Sequence, residues 1–232
     1  MVKKTKRGIL NKKKKKLQRT KKKRTTKKFL GGTHDNEKIH FTYGTYTGQI
    51  NDGKPSGKGT MVYSNGSIYK GHWENGVKHG KGKLTYYNGA KYDGYWENDL
   101  QHGKGRLVND DGSIYNGDWM NGEKNGQGKY YYDNGDLYEG EWLNNRKHGK
   151  GVLSFDDGSV YEGDWIDGSL NGDGKMSWPN NVVYEGKIEN NMMNGWGKLI
   201  EYNENGEIIN SHEGNWINND PDEHSITNPN LS

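Results

Sequence analysis

The chain contains no cysteine in its 232 residues, which excludes disulfides, thiolate zinc sites, cysteine nucleophiles, prenylation and palmitoylation. It is also short of apolar side chains, at 28%, too few to fill a thick compact core. No apolar run approaches the roughly 18 to 20 residues that span a bilayer. The N-terminus carries charge without the apolar stretch of a secretory signal, and Val2 stands where N-myristoylation requires glycine. These absences lead to the expectation of an intracellular protein, cytoplasmic, with membrane association and nuclear entry both left open.

Acidic residues are missing from positions 1–30, a stretch that holds 16 Lys plus Arg. Removing those 16 from the total of 34 leaves 18 basic residues against 30 acidic ones, so the formal charge of +4 hides a remainder at −12. Blocks of like charge repel themselves and stay solvated. Residues 1–35 are therefore expected to form a disordered basic arm ahead of an acidic body.

What the chain does have is glycine (36), tyrosine (16) and tryptophan (8). An aromatic share of 12% argues against disorder of the body. Tyr46, Tyr69, Tyr92, Tyr115, Tyr138, Tyr161 and Tyr184 recur every 23 positions, a phase that marks a repeat architecture. A glycine follows two residues after each Tyr, and Trp73, Trp96, Trp119, Trp142 or Trp165 two residues after that; Ile50 and Ile188 take that place in the first and seventh units. Later in each unit come paired glycines such as Gly80/Gly82 and Gly149/Gly151, then an apolar residue such as Leu84 or Leu153.

A spacing of two is the strand period, so Tyr69, Gly71 and Trp73 share one face while Lys70, His72 and Glu74 share the other. Asn65-Gly66, Asn88-Gly89, Asp111-Gly112, Asn134-Gly135 and Asp157-Gly158 are dipeptides suited to the positive φ of tight hairpin turns. The expected fold is all-β: an elongated single-layer antiparallel sheet of stacked hairpins, with rings from neighbouring strands lying over bare glycine backbone. At about 4.8 Å per strand, seven units extend about 65–70 Å. Each unit depends on its neighbours, because cross-strand contacts contribute only about 0.2–1 kcal/mol each.

The run Tyr138-Glu139-Gly140-Glu141-Trp142, followed by His148-Gly149-Lys150-Gly151, resembles the MORN (membrane occupation and recognition nexus) repeat. The resemblance covers residues 46–210, or seven repeats. It implies a curved single-layer sheet used for protein–protein contact, self-association or binding of anionic phospholipid. Residues 36–45 are expected to cap the N-terminal edge. About five residues inserted around Asn203–Asn210 lengthen the last hairpin, ahead of a capping strand at 211–220 and a disordered tail at 221–232.

No residue pattern supports catalysis. Gly-Lys-Gly triplets recur without the helix that a phosphate loop needs. His79, His102 and His148 share one repeat position, but equivalent positions lie about 9–10 Å apart, whereas two ligands of one zinc lie within about 4 Å. Glu139, Glu141, Asp164 and Glu185 spread along the face opposite the rings instead of converging. Ser154 and Ser177 have no histidine at a useful spacing. Ile68, Ile114, Leu137, Val160 and Val183 fall on that same opposite face, where they are expected to shield turns.

The expected function is a non-catalytic scaffold, needing no cofactor, metal or small-molecule substrate, for a protein partner or a second copy. The candidate protein-binding face consists of Tyr69, Trp73, Tyr92, Trp96, Tyr115, Trp119, Tyr138, Trp142, Tyr161 and Trp165, because Tyr- and Trp-rich surfaces suit interfaces. The arm carries Lys12, Lys13, Lys14, Lys15, Lys16, Arg19, Lys21, Lys22, Lys23 and Arg24. It reads equally as a nuclear-localisation signal, a nucleic-acid arm, an anchor to anionic lipid or a solubilising tail. The alternative function is accordingly a peripheral membrane protein that binds anionic phospholipid through the arm and the repeat loops.

Overall fold

A computed structural model of the chain describes residues 34–222. Every regular element in that range is a strand: β1 (His34–Phe41), β2 (Gly44–Asn51), β3 (Lys54–Tyr63), β4 (Ile68–Glu74), β5 (Val77–Thr85), β6 (Lys91–Glu97), β7 (Leu100–Val108), β8 (Ile114–Met120) and β9 (Glu123–Tyr131). Then follow β10 (Leu137–Leu143), β11 (Arg146–Ser154), β12 (Val160–Ile166), β13 (Ser169–Ser177), β14 (Val182–Glu189), β15 (Met192–Tyr202), β16 (Ile208–Ile217) and β17 (Asp220–Pro221). Each strand pairs antiparallel with the next in a single 17-stranded sheet. This is the stacked-hairpin fold that the period predicts.

The two turns of each repeat differ, and the glycine-bearing dipeptides mark only one of them. Asn65-Gly66 and its equivalents are not the turns in which both residues take positive φ: only the glycine does, at 93° for Gly66. The Tyr63 amide donates to the Ser67 carbonyl and the Gly66 amide to the Tyr63 carbonyl. This is a type I turn closed by a glycine bulge. The two-residue turns with both φ positive lie at the other end, at Asn75-Gly76 (50° and 93°), Asn98-Asp99 (48° and 70°) and Asn144-Asn145 (49° and 68°). Asn and Asp tolerate this conformation better than other side chains. These turns also bridge repeats, since the Asn145 amide donates to the Lys124 carbonyl and Asn145 Oδ1 accepts from the Lys124 amide.

The paired glycines divide their labour. The first of each pair sits at a β-bulge with positive φ, 63° at Gly80 and 62° at Gly149. The second joins a row of glycines that crosses the sheet from strand to strand, Gly59 opposite Gly71, Gly71 opposite Gly82 and Gly82 opposite Gly94. The row continues to Gly197 and Gly214. A Cβ added at Gly117 would stand 2.6 Å from Tyr115 Oη and one at Gly128 2.5 Å from Tyr115 Cε2. Each Tyr therefore lies over two glycines of its own hairpin, one on its own strand and one on the neighbouring strand. Its hydroxyl, sealed from water, donates to the carbonyl three residues on: Tyr69 to His72, Tyr115 to Asp118 and Tyr138 to Glu141, at 2.8–3.0 Å.

Tryptophan is the link between hairpins. Trp96 Nε1 donates to the Gly82 carbonyl (3.1 Å), and Trp119 and Trp165 repeat the bond to Gly105 and Gly151. Each indole also stands edge-on between two phenols, Trp96 between Tyr69 and Tyr92, Trp119 between Tyr92 and Tyr115. The alternating column runs from Tyr46 to Tyr161 with centroids 5.0–5.4 Å apart. Such edge-to-face pairs contribute about 0.5–1.5 kcal/mol each beyond burial. Ile188 interrupts the column, which resumes with Tyr184, Trp216 and His212. The inserted residues lengthen the β15–β16 hairpin, turning at Asn203–Gly206.

Candidate interaction face

The ten rings assigned to a binding face are brought together by the structure, but as a core. Tyr69, Tyr92, Tyr115, Tyr138 and Tyr161 are 0–1% exposed and the five tryptophans 2–6%. A single layer leaves them covered because a second tier packs over them: Tyr63, Tyr86, Tyr130, Tyr132 and Phe155, half-buried along the same face. The surface of the ladder is thus largely spent inside the protein. The ten cations of the arm lie outside the described residues.

Three lysines between the two tiers escaped the sequence reading. Register pairs Trp73 with Lys78, Trp119 with Lys124 and Trp142 with Lys147. Lys124 Nζ lies 4.3 Å from the centre of Tyr130, 4.8 Å from Trp142 and 5.2 Å from Tyr115. Lys147 Nζ lies 4.0 Å over Trp165, and Lys78 Nζ 4.3 Å over Trp96 with Asp99 4.0 Å away. Burial pushes the Lys124 and Lys147 amines down to about 8, and that of Lys78 down as well. The ring faces attract the cations and oppose that push. Leu170, Met193 and Pro55 hold the same position opposite Trp165, Ile188 and Ile50, and Gln101 holds it opposite Trp96. Only the exchange of lysine for apolar residues in three of the seven repeats signals a half-buried place, reached by the lysine's aliphatic stem.

These groups give stability a two-sided pH dependence. Lys124 and Lys147 bind fewer protons folded than unfolded, so their contribution is full above about 10.4 and falls as pH drops to about 8. The buried phenols act oppositely: burial raises Tyr46, Tyr161 and Tyr184 to about 12 and raises Tyr69, Tyr92, Tyr115 and Tyr138 too. Their contribution is full below about 10 and is lost above it. The melting temperature is expected to rise between pH 7.5 and 9.5 and fall beyond 10.5. In the double variant Lys124→Leu/Lys147→Leu the first slope should flatten and the melting temperature at pH 7 should increase, as thermal melts across that range would show.

Val62, Tyr95, Met120, Tyr131, Leu143, Ile166 and Trp196 are exposed on the face opposite the ladder. Four lanes cross it. At one margin Val62 neighbours Ile68, then Thr85 and Lys91 intervene, and Val108, Ile114, Tyr131 and Leu137 neighbour one another strand by strand, with Val62 and Tyr131 well exposed. At the other margin Met120, Leu143 and Ile166, each following a ladder tryptophan, recur every 23 residues and are exposed. Ile68, Ile114, Leu137, Val160 and Val183 fall in the first of these lanes, with Thr85, Ser154 and Ser177 between some of them. Between the margins run two polar lanes over a glycine-lined floor, with Tyr95 and Trp196 set into them; Trp196 is 51% exposed.

The polar lanes form two open grooves. One, of about 800 Å³, is lined by Glu139, Glu141, Glu162, Asp173 and Glu185 with Lys150 and Lys175. Its charges are cross-paired: Lys129 with Glu139 (2.8 Å), Lys150 with Asp164 (2.7 Å) and Lys175 with Glu185 (2.8 Å). The carboxylates of Asp118, Glu141 and Asp164 also accept the bulge amides of Gln127, Lys150 and Asp173. The other, of about 820 Å³, is lined by Lys58, Lys70, His72, Lys81, Lys83 and Asp93. His79 and His102, at the turn end, face Glu74 (3.5 Å) and Glu97 (3.3 Å) across their own hairpins.

A meander of identical hairpins with one ring, one glycine row and one indole link per unit defines an all-β repeat array. Residues 46–68, 69–91, 92–114, 115–137, 138–160 and 161–183 match the MORN repeat, and the chain belongs to that family. The seventh unit, where Ile188 replaces tryptophan and the hairpin is lengthened, lies beyond the matched stretch although its strands continue the sheet. No curated protein sequence matches the chain. Among solved structures it is similar to the TCP domain of SAS-4 (dCPAP) of Drosophila melanogaster, in complex with a proline-rich motif of Ana2, at 15% identity over 76% of this chain and 88% of that one, TM-score 0.43. It is also similar to the TCP10 domain of Danio rerio CPAP with a STIL peptide, at 11% identity over 78% and 98%, TM-score 0.35. At those values neither likeness bears on function.

Proposed function

We infer that the chain is a non-catalytic protein-interaction scaffold whose binding surface is the face opposite the ring ladder. The observation that carries this reading is the placement of Met120, Leu143, Ile166, Tyr131 and Trp196, all exposed on one face of a sheet whose other face already holds the core. Apolar side chains regularly spaced beside charged lanes are what a protein interface offers a partner. A rigid ladder keeps that spacing fixed, so recognition costs little ordering of the sheet.

The test is affinity capture from the native cell with the full chain and with Met120→Ser/Leu143→Ser/Ile166→Ser. These side chains lie outside the ladder, so stability should change by no more than about 0.5 kcal/mol per site. The reading predicts a partner retained by the native chain and lost by the variant. A partner retained equally by both would contradict it. So would co-sedimentation with phosphatidylserine vesicles that persists after residues 1–30 are removed, which would favour membrane recognition by the repeats.

A further inference from the structure

The polar lanes carry paired carboxylates in the later repeats and lose most of them in the first three, where Asp93 alone remains of the two lanes' anions. One residue after the ladder tyrosine the chain carries Glu139, Glu162 and Glu185 in repeats 5–7 and Asp93 in repeat 3, but Thr47, Lys70 and Asn116 in repeats 1, 2 and 4. Three residues after the tyrosine it carries Asp118, Glu141 and Asp164 in repeats 4–6, but Gln49, His72 and Tyr95 in repeats 1–3. The lysines facing these places persist, so the early groove keeps its cations and only Asp93 of its internal anions. Lys83 retains Asp93 and Lys104 retains Asp118, each at 2.7 Å. Lys58, Lys70, Lys81 and Arg106 have no ion-pair partner among the described residues.

The arrangement opposes the sheet's own stability. Lys70 stands directly opposite Lys83 on the neighbouring strand, a like-charge pair that destabilises a sheet. Lys58 stands opposite His72 in the adjoining pair. At His72 and Tyr95 the side-chain acceptor is also gone that Asp118, Glu141 and Asp164 give to the bulge amide, leaving the amides of Lys81 and Lys104 without that carboxylate. The floor is glycine, at Gly48, Gly59, Gly71 and Gly82, so a backbone can approach closely, and the apolar margin at Val62 and Ile68 borders the groove.

We propose that the groove over repeats 1–3, formed by β1–β6, is the docking site for an extended acidic segment of a protein partner, whose carboxylates replace the anions these repeats lack. This deepens the scaffold reading and rests on it. The 820 Å³ groove holds a short extended stretch rather than a folded domain. An extended chain presents side chains on one face every 6.6–7 Å, about twice its rise of 3.3–3.4 Å per residue. Carboxylates at alternate positions can thus reach Lys58, Lys70 and Lys81 in turn, while an intervening apolar residue faces Val62 or Ile68. Binding is charge-assisted and weakens with added salt.

The probe is a fluorescein-labelled dodecapeptide of alternating glutamate and leucine or serine, titrated by anisotropy against the full chain. Three proteins are compared: the native chain, Lys58→Glu/Lys70→Glu/Lys81→Glu, and Lys12→Glu/Lys13→Glu/Lys14→Glu, which changes the net charge equally in the arm. The proposal predicts saturable one-to-one binding, weakened at least tenfold by the groove variant and less than twofold by the arm variant. Lys58→Gln/Lys70→Gln/Lys81→Gln should weaken it about threefold to fivefold. Because Lys70→Glu turns the pair with Lys83 into an attractive one, the single variant should melt no lower than the native chain while binding more weakly, which separates lost recognition from lost folding.

Equal loss in the arm and groove variants, or loss in the arm variant alone, would overturn the proposal by assigning binding to charge outside the groove. Vesicles of phosphatidylserine and phosphatidylcholine that bind through Lys58, Lys70 and Lys81, with no peptide binding, would overturn it in favour of a lipid surface. If the peptide fails to bind while Met120→Ser/Leu143→Ser/Ile166→Ser still abolishes partner capture, the acidic segment is wrong and the scaffold reading stands.

Discussion

Trp119→Ala is expected to destabilise the sheet by about 3–5 kcal/mol, the cost of truncating a buried indole. Trp119 is a joint rather than a passive filler, since its ring stands edge-on to Tyr92 (5.3 Å) in the repeat before and Tyr115 (5.2 Å) in its own. Its Nε1 donates to the Gly105 carbonyl at 3.2 Å, so alanine also leaves that buried acceptor with one partner fewer. In an array held by nearest-neighbour terms, weakening a central joint uncouples the two flanks. Calorimetry should therefore show a lowered and broadened transition, resolving towards two steps. Trp119→Ile should cost less, because Ile50 and Ile188 fill that same place, buried, in the first and seventh units. A single sharp transition within about 1 kcal/mol of the native one for Trp119→Ala would contradict the role of the indole as a link.

Adding one methyl group should be nearly as damaging as removing an indole. At Gly128 a Cβ would stand 2.5 Å from both Cε2 and Oη of Tyr115, and Gly117, directly across the pair, leaves the ring no second berth. Overpacking of this kind costs about 1–3 kcal/mol. If the ring lifts, its hydroxyl also loses the Asp118 carbonyl, worth about 1–3 kcal/mol for a sealed polar group. Gly128→Ala is thus expected to cost about 2–5 kcal/mol in urea unfolding. Gly112→Ala serves as the comparison, since nothing lies within 4 Å of its added Cβ and only its φ of 92° resists the change, at about 1–2 kcal/mol.

The fold was legible because three residue types recur in one phase. Tyr, Gly and Trp at spacing two cannot form a helix face, and the 23-residue interval fixes two strands per unit. The interaction face was less legible. Sequence pattern gives parity along a strand but not which face stays wet, and Tyr and Trp look equally suited to a core or an interface. The decision lay in the glycine row, which draws Tyr115 down onto its own hairpin and lets the second tier close over it. Met120, Leu143 and Ile166 were visible as a 23-residue series, yet each directly follows a tryptophan and was eclipsed by it. Lys124 and Lys147 were hidden because a charged residue reads as solvated, although its stem is apolar enough to lie among rings. The twin asparagines at Asn144-Asn145 escaped notice as a turn because the glycine-bearing dipeptides carry the stronger signal.

The central claim is that each tyrosine needs the bare backbone beneath it, and a double-mutant cycle between Tyr115→Ala and Gly128→Ala tests this most directly. With the ring removed, the methyl group at position 128 should enter free space and cost little, giving a coupling energy of about 2 kcal/mol or more from urea unfolding of the four proteins. Costs that simply add, within about 0.5 kcal/mol as for independent sites, would contradict the account.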